Sequence, residues 1–274
     1  MRPLLVLDWG IGGLASLYQL LASPLDRPVV YLSDSGYTPY GRVPHPELGA
    51  RIEQLCAHFR PSALLVACNA ASSALSPQLK LPPLTLNVID AGVEESLKAL
   101  YALDDRRAVS DPRALRLGVI GGGATIKSGI YERALHERWR LQRALEVKSV
   151  VAQPLSAHVE AGRLSGEALE RDLRRICEEL GAIDALTLAC THYPALSTRF
   201  KEALPKVHLI DPAAGFIESA CDALKKQVLS EAQRATKGAE LTLYTTGDPE
   251  ALSRAARLAW GRAPPAPCAR LKLS

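Results

Sequence analysis

The chain has 274 residues, of which 47% are hydrophobic and 23% are charged, and its formal net charge is +4. This composition is typical of a globular protein with one large or two modest domains, and it excludes a low-complexity chain. The basic residues are scattered, so no basic stripe indicates a nucleic-acid partner. The first apolar run stops at Asp8, and no run is long enough to span a bilayer. We therefore expect a cytoplasmic protein without a membrane or nucleic-acid partner.

Strand-like and helical patterns alternate through the first part of the chain. The strand patterns are PLLVLD, PVVYLSD, ALLVAC and LTLNVI. The helical patterns are GGLASLYQLLAS, HPELGARIEQLCAHF, a segment that starts near Asn69, and GVEESLKALYAL. Alternation of this kind predicts a parallel sheet that is covered by helices on both faces.

A charged segment, Asp104 to Arg113, is interpreted as a surface loop, and the alternation then starts again. The strand patterns here are LRLGVIG, LEVKSVV, ALTLAC and VHLIDP, and the helical patterns are GGATIKSGIYERALHERW and SGEALERDLRRICEELG. The layout is a weak internal repeat, because LVLDWGIGG corresponds to LGVIGGGAT and LLVACNAASS to LTLACTHYPALS. The sequence therefore predicts an α/β fold of two pseudo-symmetric parallel-sheet domains that face a central cleft.

The six cysteines form no CxxC pair, so we expect no zinc or other metal site, and we expect free thiols. Four of them are interpreted as buried or incidental: Cys56, Cys177, Cys221 and, in a Pro-rich tail, Cys268. Cys68 and Cys190 differ from these because each ends an apolar strand and precedes polar residues. A core position for both thiols remains the alternative to a functional one.

Ligands bind beyond the carboxyl ends of strands in open parallel sheets. Two such halves would bring Asp8 and Cys68 opposite Cys190 and His192. One thiol suffices for nucleophilic catalysis or for a decarboxylation, whereas two thiols on opposite faces can remove a proton from a carbon and return one on the other side. That reaction inverts a stereocentre. No lysine lies in a recognisable pyridoxal-phosphate setting, so a reaction without a cofactor is the simpler interpretation.

An ordered set of motifs extends over nearly the whole chain. The motifs are DWGIGG, YLSDSGYTPYG, ACNAAS, GVIGGGATIKSGIY, HVEAG, ACTHYP and LYTTGDPEAL. In this order they resemble the glutamate racemases, within the cofactor-independent aspartate/glutamate racemase superfamily. The resemblance implies interconversion of L- and D-glutamate, which supplies D-glutamate for peptidoglycan, and it implies a homodimer. It also implies a discontinuous first domain, residues 1–96 with 210–274, and a second domain, residues 97–209.

The resemblance also implies roles for individual residues. Cys68 and Cys190 would be the two catalytic acid/bases, with Asp8 assisting Cys68, and with His192 and Glu160 assisting Cys190. Other residues would bind substrate: Asn69 and Thr191 at the amino and carboxylate groups, Pro39, Tyr40, Gly41 and Thr125 at the side-chain carboxylate, and Trp9 and Ala70 at further substrate-binding positions.

Three residues depart from the family pattern. Trp9 stands where the family usually has serine, Ala70 where it usually has threonine, and Gly122 where threonine is common. The proton-transfer pair is intact, but substrate recognition is altered. The alternatives are therefore a racemase for aspartate or another amino acid, and an inactive binding or regulatory protein on the same fold.

Other motifs have a structural interpretation beside the functional one. Asp8 could cap a helix, and Glu160 could be a solvated helix charge. His192 could be structural, and His158 is interpreted as a surface or helix residue. The segment TTGDPEAL is interpreted as a helix start, with Asp248 as its cap and a proline in its first turn. The glycines of GIGG lack the spacing of a dinucleotide fingerprint.

Overall fold

The structure is a computed structural model, and it describes residues 2–23, 27–108, 110–226 and 240–273. Its strands, in chain order, are β1 (Leu4–Asp8), β2 (Val29–Ser33), β3 (Ala63–Val66), β4 (Leu84–Asn87), β5 (Leu115–Gly121), β6 (Leu145–Val151), β7 (Ala185–Ala189), β8 (His208–Ile210), β9 (Leu241–Thr245) and β10 (Cys268–Arg270). They form a six-stranded sheet, in the order β10-β9-β2-β1-β3-β4, and a four-stranded sheet, in the order β6-β5-β7-β8. The strand pairs are all parallel in the described residues.

Helices connect the strands in both sheets. They are α1 (Leu14–Leu21), α2 (His45–Phe59), α3 (Asn69–Ser73), α4 (Val88–Asp104), α5 (Gly123–Ser128), α6 (Ile130–Arg138), α7 (Gln153–Glu160), α8 (Glu167–Leu180), α9 (Ser197–Ala203), α10 (Ala213–Lys226) and α11 (Pro249–Trp260), with 3-10 turns at Tyr40–Arg42 and Tyr193–Leu196. Within the described ranges, none of the helices has the length and apolar character that crossing a membrane requires.

The two halves repeat one strand order. β2-β1-β3-β4 in the first sheet corresponds to β6-β5-β7-β8 in the second, so β1 matches β5 and β3 matches β7. Cys68 lies just after β3, and Cys190 lies just after β7. The predicted fold of two pseudo-symmetric parallel-sheet domains is confirmed, and the two thiols occupy equivalent places in it.

The strands are buried along their whole length near the centre of each sheet. Every residue of β1, β2, β3 and β7 is buried, because helices cover both faces and leave no solvated side for polar residues. Helix α8 shows the complementary pattern. Its buried residues, Leu169, Leu173, Ile176 and Leu180, recur every three or four positions, and its charged residues face away from the core.

Two helix starts test the capping predictions. Asp248 accepts a hydrogen bond from the Glu250 N–H (3.0 Å) at the start of α11, so its predicted role as a cap is confirmed. Asp8 caps no helix, because α1 begins only at Leu14 and has Gly13 at its N-cap. The capping interpretation of Asp8 is therefore wrong.

Two further sequence interpretations change in the structure. The pattern GGATIKSGIYERALHERW forms two helices, α5 and α6, which are separated by Gly129 in a left-handed conformation (φ 63°) that glycine adopts readily. Cys268, which the sequence places in a Pro-rich tail, belongs to the short strand β10, which pairs with β9 at the sheet edge. A strand of three residues is too short to show the alternation of apolar and polar residues from which strands are predicted, and it follows a run of prolines. The sequence therefore did not predict it.

Candidate active site

A cavity of about 630 Å³ lies where the carboxyl ends of the two sheets meet. Residues from both halves line it: Trp9, Pro39, Tyr40, Gly41, Arg42, Cys68, Asn69, Ala70, Gly122, Thr125, Gln153, Pro154, Ser156, Ala157, Glu160, Ala161, Ala189, Cys190, Thr191 and His192. Both strand-end thiols therefore open into one space. Of the residues that the sequence proposed for the site, Asp8 is the one that does not line the cavity, because it is fully buried behind it.

Cys68 lies at the N-cap of α3 and is only 8% exposed. Burial raises the pKa of its thiol well above the ordinary value, and the neighbouring Asp8 carboxylate raises it further. The backbone N–H groups of Ala71 and Ala70, at the start of the helix, act in the opposite direction. Because the raising effects prevail, Cys68 carries its proton at neutral pH and is suited to be an acid.

Asp8 lies between Cys68 and the second half of the molecule. Its Oδ1 accepts a hydrogen bond from the Trp9 N–H (2.7 Å), and its Oδ2 accepts one from the Thr191 hydroxyl (2.9 Å). Burial raises the pKa of Asp8, although the charge of His192 and these hydrogen bonds counteract it. Asp8 therefore joins the Cys68 side of the cavity to a residue that follows β7.

Cys190 has an imidazole as its neighbour. Its Sγ is 3.7 Å from Nδ1 of His192, and Nε2 of His192 is 2.6 Å from Oε1 of Glu160. Burial opposes the charged form of His192, but the contacts with Cys190 and Glu160 outweigh it, so the pKa of His192 is raised well above its usual value. A protonated imidazole beside the sulfur stabilises negative charge on it, and Cys190 is suited to be a base.

Glu160 also crosses between the halves. Its Oε1 accepts a hydrogen bond from the Ile11 N–H (2.8 Å), in the loop after β1. Glu160 is therefore not a solvated helix charge, and His192 does not stand apart from the cavity as a structural histidine. His158, two residues earlier on α7, is a buried helix residue whose Nε2 contacts Asp172 (2.8 Å).

Asn69 and Thr191 present polar atoms to the cavity. The Tyr131 hydroxyl donates to Oδ1 of Asn69 (2.8 Å), which leaves the amide Nδ2 as a donor. The Thr191 hydroxyl donates its hydrogen to Asp8, so its lone pairs remain as acceptors. A donor and an acceptor beside the two thiols match the carboxylate and the ammonium of an α-amino acid.

The cavity wall formed by Tyr40, Gly41 and Thr125 offers a second polar region. The Tyr40 hydroxyl donates its hydrogen to the buried Asp34 (2.7 Å), so it has no hydrogen left for a ligand carboxylate. Thr125 is 2% exposed, and its Oγ1 has no hydrogen-bond partner among the residues that the structure describes. A buried hydroxyl without a partner is costly, and a bound ligand would satisfy it.

Trp9 contributes its indole to the cavity wall. Its Nε1–H donates to the Tyr37 carbonyl (3.0 Å), and its ring centroid lies 6.4 Å from that of His192. The indole thus has its one donor occupied and presents an apolar surface. Ala70, which is 7% exposed, adds a second apolar contact beside Cys68.

Comparisons with known proteins place this geometry in a family. A family model described as Asp/Glu/Hydantoin racemase matches residues 38–220. The glutamate racemase of Aquifex aeolicus (strain VF5) is 31% identical over 263 residues, which are 93% of this chain and 93% of that protein. This chain belongs to the Asp/Glu/hydantoin racemase family. The family membership predicted from the sequence motifs is confirmed.

Solved structures of relatives share the fold of this family member. The crystal structure of glutamate racemase from Thermus thermophilus in complex with β-chloro-D-alanine is 26% identical and has a TM-score of 0.78, with 99% of this chain and 97% of that chain covered. The glutamate racemase of Francisella tularensis subsp. tularensis SCHU S4, solved in complex with D-glutamate, is 24% identical and has a TM-score of 0.79 over 99% and 97% of the two chains. The second likeness bears on the fold alone.

One wall of the cavity in this racemase-family chain is not apparent from the sequence motifs. Helix α7 contributes Gln153, Pro154, Ser156, Ala157 and Glu160. Apart from Pro154 in the first turn, these residues recur at helical spacing and therefore share a helix face. Only Glu160 was considered from its motif. The signal was present, because α7 follows the carboxyl end of β6 and the same strand-end rule applies there.

Proposed function

We propose that this protein is a glutamate racemase that inverts Cα by moving protons between Cys68 and Cys190, without a cofactor. One observation carries the proposal: the two thiols follow equivalent strands of the two sheets and line the same cavity, with a carboxylate behind one and an imidazole beside the other. A pair of core cysteines would not need these surroundings.

In one direction, the Cys190 thiolate removes the proton from Cα and becomes a thiol. The electron pair of the broken C–H bond is delocalised into the α-carboxylate, where the Asn69 amide can donate a hydrogen bond. The Cys68 thiol then gives its proton to the opposite face of Cα and is left as a thiolate. The reverse reaction starts with Cys68 as the base, so each enantiomer uses the same pair in the opposite order.

The polar groups of the cavity support an acidic amino acid as substrate. Asn69 and Thr191 suit the amino-acid head group, and the unpartnered Thr125 hydroxyl suits a carboxylate at the end of a side chain. The named relatives are glutamate racemases, which favours glutamate over a shorter substrate.

Proton NMR in heavy water tests the proposal. The wild type is expected to exchange the Cα proton of L-glutamate and of D-glutamate for deuterium. Cys68→Ser and Cys190→Ser are each expected to lower the rate of racemisation by roughly 100- to 10,000-fold, the usual contribution of an acid or base. Cys177→Ser, at a half-buried cysteine of α8, is the matched control. Unchanged rates in either site variant would refute the two-thiol mechanism.

A racemase with another substrate is the second candidate. This candidate is favoured by the position of Trp9, whose indole forms part of the cavity wall and offers no free hydrogen-bond donor. The same exchange assay with L-aspartate and a panel of neutral amino acids separates the two candidates. Exchange of another amino acid without exchange of glutamate would establish this alternative, and no exchange with any of them would favour a binding protein.

Three further parts of the sequence prediction remain proposals. We infer a homodimer, which light scattering of the purified protein measures directly. We also infer a cytoplasmic location and a role in supplying D-glutamate for peptidoglycan. Depletion of the protein in its native cell should then create a requirement for D-glutamate, and growth that is indifferent to added D-glutamate would contradict this role.

A further inference from the structure

Gln153 has a side chain of fixed orientation at the cavity wall. It is the first residue of α7, directly beyond the carboxyl end of β6. Its Oε1 accepts a hydrogen bond from the Gly123 N–H (3.1 Å), and its Nε2 donates one to the Ser156 hydroxyl oxygen (3.3 Å). A backbone N–H can only donate, so the contact with Gly123 assigns the carbonyl oxygen of the amide, and the second N–H of the NH₂ group remains as a donor for a ligand.

The carboxamide of Gln153 occupies space that two glycines leave open. A Cβ on Gly41 would collide with Oε1 of Gln153, and a Cβ on Gly122 would lie only 3.0 Å from the same atom. Gly123 supplies the N–H that holds it. Gly41 belongs to the first half of the molecule, and Gly122 and Gly123 belong to the second, so the carboxamide lies at their junction.

The position of Gln153 along α7 separates it from the thiols. Glu160, which holds the histidine beside Cys190, lies seven residues further on the same helix, or about 10 Å along the helix axis. A substrate whose Cα lies at the thiols therefore has a side chain that extends toward Gln153 and Thr125. At the thiol end, Glu160 contacts the protonated His192 and Asp8 accepts a hydrogen bond from Thr191, whereas Oγ1 of Thr125 has no partner among the described residues. A side-chain carboxylate of the substrate therefore finds an uncommitted donor away from the thiols.

We propose that Gln153 is a specificity-determining residue that donates a hydrogen bond from Nε2 to the side-chain carboxylate of the substrate. This inference rests on the proposed glutamate racemase function. The unpartnered hydroxyl of Thr125 would contact the same carboxylate. The carboxamide would thus supply a side-chain donor next to Gly122, which has no side chain of its own.

Steady-state kinetics with L- and D-glutamate test the role of Gln153. Gln153→Ala is expected to raise KM for both enantiomers by about 10- to 100-fold, the range for a hydrogen bond to a charged group, with kcat changed by less than about 3-fold. Gln153→Glu keeps an oxygen for the Gly123 N–H but opposes the substrate carboxylate with a like charge, so its KM should rise further. Gln78→Ala, at an exposed glutamine, is the control and should match the wild type.

The results separate this inference from the function on which it rests. No deuterium exchange of glutamate by the wild type overturns the proposed function and this role with it. Exchange by the wild type, with KM unchanged in both Gln153 variants, overturns the role of Gln153 alone. A loss of kcat without a rise in KM also overturns it, because a purely structural role of α7 would disturb the chemistry and not the recognition of the side chain.

Discussion

Cys68 and Cys190 occupy equivalent places in two similar halves, yet their surroundings differ in charge. Cys68 is nearly inaccessible and lies by the carboxylate of Asp8, and both features raise its pKa. Cys190 is half-buried and lies by the imidazole of His192, whose pKa is raised. The two halves therefore share a fold but surround their thiols with groups of opposite charge, which suits the proposed use of Cys68 as the first acid and Cys190 as the first base.

Beside each thiol, a carboxylate is hydrogen-bonded to the opposite half of the molecule. Asp8, from the first half, is bonded to Thr191 of the second, and Glu160, from the second half, is bonded to Ile11 of the first. Cys68 with Asp8 forms one arm of the site, and Cys190 with His192 and Glu160 forms the other. Each arm is thus held by a hydrogen bond to the opposite half. Substitutions on the two arms are therefore expected to differ in their effects on the pKa values of the site and on the free energy of unfolding.

Among the groups beside the thiols, the largest effect is expected at His192. His192→Asn keeps a polar side chain but removes the positive charge beside Cys190, so kcat should fall by about 100-fold, at the lower end of the contribution of acid–base groups. Racemisation of both glutamate enantiomers, followed by circular dichroism, measures it. A kcat close to that of the wild type would show that the positive charge beside Cys190 is not needed for catalysis.

Stability gives an independent measure of the same charge. Because the pKa of His192 is raised in the folded protein, its stabilising contribution is fully present below its unfolded pKa of about 6.5 and is lost as pH rises through the raised value. His192→Asn should therefore lower the free energy of unfolding, relative to the wild type, by more in acidic than in alkaline buffer. Glu167→Gln, at an exposed charge on α8, serves as the control, and a deficit that grows with pH would contradict the assignment.

A smaller effect of a different kind is expected at Asp8. Asp8→Asn removes the charge that helps to keep Cys68 protonated, so kcat should fall by about 30-fold, less than for a group that transfers the proton itself. Since burial raises the pKa of Asp8, loss of its charge should not destabilise the fold at neutral pH.

Alkylation of Cys68 reads out the Asp8 substitution directly. With the carboxylate gone, the pKa of Cys68 should fall, and its reaction with iodoacetamide should begin at a lower pH than in the wild type. Mass spectrometry of the Cys68 peptide across pH measures this onset, and the Cys56 peptide is an internal reference. An unchanged onset would show that Asp8 does not influence the thiol.

Much of the fold follows from the sequence through one rule. Parallel strands place their carboxyl ends at one edge, so Asp8 at the end of β1 and Cys68 after β3 come together, as the direct pairing of these strands requires. The repeat in the second half then brings Cys190 to the matching place. These inferences need only strand positions, which apolar runs reveal well.

The details that the sequence did not reveal depend on single long-range contacts. The side chain of Trp9 is held in the cavity wall by the Tyr37 carbonyl. Similarly, Nε1 of Trp260 donates to the Ile11 carbonyl (3.0 Å), which connects α11 to the loop that holds Glu160. No local periodicity encodes such contacts, because the partners are far apart in the chain. Asp8 was open to a capping interpretation for the same reason, since its partner Thr191 lies in the other half.

The smallest effect is expected at Thr125, which belongs to neither arm of the site. Its substitution therefore serves as a reference for the substitutions on both arms. Thr125→Val removes a buried hydroxyl that lacks a partner among the described residues, so the ligand-free protein should gain about 1 kcal/mol of stability, at the low end of the cost of such a group. KM should rise by about 10-fold for L- and D-glutamate alike, with kcat unchanged. Thermal unfolding and steady-state kinetics measure the two effects, and Thr125→Ser should restore the KM. A change in kcat for one enantiomer only would mean that Thr125 acts on one of the thiols. Substrate recognition, which both enantiomers share, would then not be separate from the two different catalytic arms.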